Sequence, residues 1–81
     1  MEIRYSKKAA KYLEKQDKKT QHKLRLAIEN LPNGDIKLYQ SHYIITHRLR
    51  VGDYRVLYYH VIDNIIYIEK IGSRGDIYKG V

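Results

Sequence analysis

The chain has 81 residues, no cysteine, sixteen Lys and Arg against nine Asp and Glu, and a formal charge of +7. A chain of that length is expected to form one domain over residues 1–81, burying about 60% of its unfolded surface, with no disulfide or thiolate metal site to supplement a thin core. No apolar run approaches the ~20 residues of a membrane span, and Met1-Glu2-Ile3-Arg4 does not open a signal peptide, so the expectation is a soluble, cytoplasmic protein that meets nucleic acid or an acidic partner.

Glu2 to Tyr5 reads as a short opening strand. Ser6 is a plausible N-cap, and Ala9, Ala10, Tyr12 and Leu13 form an apolar stripe at helical spacing. Asp17 can cap a second helix whose inner face is Leu24, Ala27, Ile28 and Leu31, ended by Pro32-Asn33-Gly34. Between Arg4 and Arg25 lie nine of the sixteen basic residues, mostly on the outer sides of these helices. A solvated face is the plainer account of Lys7, Lys8, Lys11, Lys15, Lys18 and Lys19, and contact with an RNA backbone is the functional one. Asp35 to Tyr43 is expected to be a loop. From Ile44 onward the pattern changes to strands, with two-residue turns at Gly52-Asp53 and Asp63-Asn64. The expected product is a three-stranded antiparallel meander over 44–51, 54–62 and 65–74. All nine aromatics are tyrosine, a residue that suits strand surfaces and half-buried positions.

The turns set the register, and the register decides which side chains share a face. Val51 is expected opposite Tyr54, Arg50 opposite Arg55, Arg48 opposite Leu57, Leu57 opposite Lys70, Arg55 opposite Gly72 and Ile62 opposite Ile65. One face then carries Thr46, Arg48, Arg50, Arg55, Lys70 and Arg74, with Tyr59, Val61, Ile66 and Ile68 at its other end. The opposite face carries Ile45, His47, Leu49, Val51, Val56, Tyr58 and Ile71, an apolar surface for the helices. Arginines placed side by side destabilise a sheet unless an anion or an acidic partner relieves them. The plainer account lets the long side chains splay into water beside Asp53 or Asp76, but it gives no reason for five cations on one face. Gly72, beside Arg55, would leave an open floor for a ligand, or simply mark a break in pairing.

Other chemistry is thinly supported. His22, His42, His47 and His60 lack metal-ligand spacing, so neither a metal nor a cofactor is expected. His47 and His60 read as satisfied, partly buried histidines, while His42 precedes the first meander strand. No nucleophile triad or phosphate-binding glycine loop is visible. Tyr78, past Arg74, either anchors the C-terminus or folds over the basic face to stack on a base.

Over almost its whole length the chain resembles the RelE/ParE superfamily, the toxin components of bacterial and archaeal toxin–antitoxin pairs. The resemblance lies in two basic helices, Leu31-Pro-Asn-Gly-Asp-Ile36, Arg48-Leu-Arg-Val-Gly-Asp-Tyr-Arg-Val-Leu-Tyr58 and Ile71-Gly-Ser-Arg-Gly-Asp-Ile-Tyr-Lys79. It implies an α+β fold, two N-terminal helices packed on one face of a small, mainly antiparallel twisted sheet. Within the superfamily the chain looks like the RelE branch, ribonucleases that enter the ribosomal A site and cut mRNA there by 2′-hydroxyl attack, leaving a 2′,3′-cyclic phosphate. The family's arginines match Arg55 and Arg74 and its C-terminal tyrosine matches Tyr78; Arg48 falls where a lysine is frequent, and Thr46 stands where relatives carry a further basic residue.

The chemistry that this resemblance implies suits the residues. Guanidinium groups can stabilise charge building on a phosphorane, yet with a pKa above about 12 they make poor bases. Arg55 and Arg74 would hold phosphate, Tyr78 would orient a nucleotide, Arg48 and Arg50 would add charge, and Lys70 would assist proton transfer or attract the backbone. The implied partners are a cognate acidic antitoxin, the ribosome and mRNA, with operator DNA met only through the antitoxin complex and no membrane. A gyrase-poisoning toxin of the ParE kind, without ribonuclease activity, stays open as the alternative, as does a non-toxic binding domain.

Overall fold

The protein's structure, a computed structural model, describes residues 2–40, 45–60 and 64–75. His42, Ile44, Val61, Ile62, Asp63, Asp76 and Tyr78 lie outside the described residues, and so does the Ile62–Ile65 pairing expected beside the second turn.

Short polar caps start both helices. Ser6 Oγ accepts the Ala9 N–H at 3.0 Å and opens α1 (Lys7–Glu14). The same oxygen donates to the Glu69 carbonyl at 2.7 Å, so this cap also fastens the helix to the sheet. Asp17 repeats the device for α2 (Lys18–Glu29), accepting the Thr20 N–H at 2.7 Å. Hydrogen bonding from Thr20 holds the Asp17 carboxyl below its usual pKa, as expected when the charged form is the acceptor. After α2 the chain passes Pro32 and reaches Gly34 at φ 130°, where an added Cβ would stand 2.8 Å from Leu49 Cδ1. Glycine is required there by conformation and by space.

Five strands, β1 (Glu2–Tyr5), β2 (Asp35–Gln40), β3 (Ile45–Val51), β4 (Tyr54–His60) and β5 (Ile65–Ser73), form one sheet in the order β1-β5-β4-β3-β2. β1 runs parallel to β5, and the other neighbours pair antiparallel. The α+β architecture expected from the sequence is the one observed. Its last strand stops at Ser73, just before Arg74.

Two expectations are corrected. Asp35 to Gln40 is a strand rather than a loop, paired with β3 along its length from Asp35–Arg50 to Gln40–Ile45. Its mixed residues give no clean alternation, because it is an edge strand whose Lys37 and Leu38 are exposed while Ile36 packs on the core. Pairing, not local pattern, makes it a strand. The second correction concerns Ile66 and Ile68, expected on the cationic face but fully buried in the core. The pairs Arg55–Gly72 and Leu57–Lys70 are as expected, but a register shift between Leu57 and Tyr58 then sets Tyr58 opposite Ile68 and His60 opposite Ile66. One extra residue on β5 reverses the facing of everything before it.

The bulge serves the core. It lets Ile66, Ile68 and Ile71 join Leu49, Val51, Val56 and Tyr58 on one face, against Ala9 and Leu13 of α1 and Leu24 and Ile28 of α2. Ile3 and Tyr5 of β1, paired with Ile66 and Ile68, extend that surface. Burial raises the pKa of Tyr58, while Tyr5 is raised by burial more than the nearby Arg25 lowers it. No described helix is long and apolar enough to cross a membrane.

Candidate functional site

The turn at Gly52-Asp53 is the anchor of the other face. Gly52 has φ 59°, the left-handed conformation that a two-residue hairpin turn demands. Arg55, one residue into β4, reaches back to this turn: its Nη1 donates to the Gly52 carbonyl at 2.8 Å and to the Tyr54 carbonyl at 3.0 Å. The end of β5 docks at the same place, where the Arg74 N–H donates to the Asp53 carbonyl at 2.9 Å. Arg55 therefore has an oriented guanidinium, and the main chain brings Arg74 to the turn that Arg55 braces.

The five cations expected on one open face fall into three groups. Arg48 and Arg55 are buried, 6% and 8% exposed. Leu57, which pairs with Arg48 on one side and Lys70 on the other, is buried with them, as is Gly72 opposite Arg55. Among the described residues no carboxylate pairs with either buried arginine. Arg50, opposite Arg55 as expected, is exposed and lies 3.9 Å from the Asp35 carboxylate across the β2–β3 pair. Among the described residues the carboxylate beside Arg50 is thus Asp35 rather than Asp53, because the unexpected β2 carries it there, while Asp76 lies outside the described residues. Arg74 has an exposed side chain.

Lys70 forms the third group. It is half-buried at a groove of about 380 Å³ between α1 and β5, in company with Lys8, Lys11 and Lys15. Tyr12, Ile71 and Gly72 complete the lining. Lys7, Lys18 and Lys19 are exposed and not part of it. The i, i+3, i+7 spacing of the three helical lysines could have revealed one shared face; that β5 would bring Lys70 to it could not be read locally. Thr46 is partly buried, opposite Tyr39.

Two aromatic groups are built on the same sheet. Tyr59 and Tyr67, paired across β4 and β5, have ring centroids 5.2 Å apart; burial first, then the charge of Glu69 and the neighbouring Tyr67, raises the Tyr59 pKa. On the core side, His47 stacks on Tyr58 at 5.2 Å and meets His60 edge-on at 5.3 Å. His47 is partly buried as expected, but its Nδ1 has no partner among the described residues, and His60 is exposed rather than partly buried. Burial, and then His60, pushes the His47 pKa below its ordinary value.

A family model described as ParE toxin of type II toxin–antitoxin system, parDE, matches residues 3–78. Among solved structures the chain is similar to a chain of the archaeal RelE–RelB complex from Pyrococcus horikoshii OT3. That match has 26% identity and a TM-score of 0.71, covering 93% of this chain and 96% of that one. YafQ from E. coli strain BL21(DE3) shares the fold at 22% identity and a TM-score of 0.59, over 91% of this chain and 93% of YafQ. No curated protein matches the chain.

Proposed function

As the chain belongs to the ParE toxin family and is the toxin of a type II toxin–antitoxin system, we propose that it acts as a ribosome-dependent endoribonuclease, cutting mRNA in the A site and so arresting translation. The observation that carries this reading is the pair of buried arginines, Arg48 and Arg55, with no carboxylate on them among the described residues. Burying a charge without a partner is costly, and an oligoanionic substrate relieves the cost when it binds. The likeness to the RelE–RelB complex supports the same reading.

In the proposed reaction the 2′-oxygen of one nucleotide attacks its own 3′-phosphorus and the bond to the next nucleotide's 5′-oxygen breaks. The products are a 2′,3′-cyclic phosphate and a free 5′-hydroxyl, with the 2′ proton leaving to a base and another reaching the 5′-oxygen. Negative charge grows on the non-bridging oxygens in between. Arg55, held by two carbonyls, meets that charge without reorganising, which is how fixed donors accelerate such steps. Arg74, brought to the same turn, supplies the second guanidinium, and Arg48 adds to the field. Tyr78 is assigned to orienting the nucleotide by resemblance alone. Lys70 sits with the lysines of α1, which favours backbone attraction over proton transfer.

A cognate acidic antitoxin is the proposed partner in the cytoplasm, and operator DNA would be met only through that complex. It would cover the cationic face, for which Arg50 and Arg74 supply exposed charge.

The test is a translation extract with primer extension on a translated message. Cuts that require ribosomes, and that fall about 100- to 1,000-fold in Arg55→Ala, are expected. Because Arg55 braces a turn, circular dichroism must show the variant folded. The family model favours a second reading, a gyrase poison of the ParE kind. An intact message together with gyrase-dependent DNA breaks would establish it instead.

A further inference from the structure

β1 has only four residues, and its pairing along β5 ends at Ile68. There the chain turns at Ser6, whose N–H donates to the Ile68 carbonyl at 2.9 Å, and rises into α1. Beyond that point the flank of β5 is lined by a helix, and the space between them is the groove that Lys70 shares with Lys8, Lys11 and Lys15. Four ammonium groups line it, and among the described residues no carboxylate does. At a rise of about 1.5 Å per residue the helical lysines extend over about 10 Å. Tyr12 and Ile71 supply apolar surface, and Gly72 contributes no side chain. Gly72 is also the residue opposite Arg55, so the groove opens one strand pair from the braced arginine.

We propose that this groove is a second RNA subsite, seating one nucleotide of single-stranded RNA next to the bond that is cut. The lysines hold its flanking phosphates and the Tyr12 ring takes its base. The inference rests on the reading that the chain acts on RNA. The volume of about 380 Å³ lies within the range of sites that enclose small ligands. Lysines neutralise phosphates without reading sequence, and aromatic rings accept any base, so the subsite is sequence-tolerant. An acidic peptide would use the lysines, but it would have no use for the ring or for the closeness to Arg55.

The test is fluorescence anisotropy of a labelled single-stranded oligouridylate, titrated with the full chain between about 50 and 200 mM salt. Lys8→Ala/Lys11→Ala/Lys15→Ala should flatten the dependence of log affinity on log salt by about 2, at roughly 0.7 per phosphate contact on a single strand. Lys23→Ala/Arg25→Ala/Lys37→Ala removes the same charge away from the groove and should flatten it by less than half as much. Tyr12→Leu should weaken binding on the order of tenfold, and Tyr12→Phe, which keeps the ring, should bind like the parent.

Equal losses from the two triple variants, parental binding by the α1 variant, or no oligouridylate binding by the parent would each overturn the subsite. So would an α1 variant that keeps RNA binding but loses polyglutamate binding, since that marks a peptide site. A parent that binds RNA through the groove yet cuts no message refutes the ribonuclease reading alone. A parent that cuts while its α1 variant binds RNA normally refutes only the subsite.

Discussion

The two faces of the sheet bury side chains of opposite kinds. On the helix side Leu49, Val56, Ile66 and Ile68 are nearly or fully removed from water against Ala9, Leu24 and Ile28, in a cluster of mainly apolar side chains. On the other side Arg48 and Arg55 are buried together with Leu57. Burial stabilises the first face, at about 25 cal/mol per Å² of apolar surface. It works against the second, where the desolvated Arg55 guanidinium finds two carbonyl oxygens and neither it nor Arg48 meets a described carboxylate. The proposed function gives that second face its reason, since an oligoanionic substrate would relieve the cost of burying these cations.

The largest expected effect tests the apolar side. Ile68→Ala should lower the unfolding free energy by about 2–5 kcal/mol in urea titration, the usual range for a large-to-small change at a fully buried site. A loss below 1 kcal/mol would show that the bulge leaves that region loosely packed and would weaken the contrast between the faces. Arg48→Met probes the opposite side with a side chain of similar length. If burial of Arg48 serves function, stability should be unchanged or higher, as when buried charges give way to apolar residues of like volume, while message cleavage falls. A marked loss of stability would make Arg48 a structural residue and blur the comparison.

Smaller effects sharpen it at the junctions. Ser6→Ala removes the cap of α1 and the bond to Glu69, and should cost about 1 kcal/mol in the same titration. A cost within error would mean that β1 and the packing of Ala9 and Leu13 fasten the helix to the sheet without the cap. His47 should give the smallest signal. Its pKa is lowered in the folded chain, so the unfolded chain binds more protons over the interval between the two values. Its contribution is therefore fully present above about pH 6.5 and is lost as the pH falls below that value. Melting temperature should decline on acidification from pH 7, and His47→Gln should flatten that decline.

Much of the candidate site was legible in local pattern. Alternation around Gly52-Asp53 is enough to place Arg50 beside Arg55, since a two-residue turn leaves one register, and counting from Asp63-Asn64 places Gly72 opposite Arg55. The same holds for the helix starts at Ser6 and Asp17, where a short polar side chain precedes an apolar stripe. The strand at Asp35 to Gln40 was not legible, because an edge strand needs only one paired side and half-solvated residues, and its pattern resembles a loop. The burial of Arg55 was likewise hidden: nothing in Tyr54-Arg55-Val56 says that the guanidinium folds back onto its own turn.

Sequence by itself determined the two helices, four of the five strands, the register at the Gly52-Asp53 turn and the sign of the charge on one face, because those follow from side-chain spacing along a chain of known periodicity. Only the tertiary structure decided which cations are withdrawn from water, which residue answers Arg50, and that Lys70 joins the lysines of α1. A single extra residue in β5 also decided that Ile66 and Ile68 belong to the core. Each of these depends on contacts between segments far apart in sequence, where the free energy of packing the helix face selects one arrangement among several that local spacing permits equally.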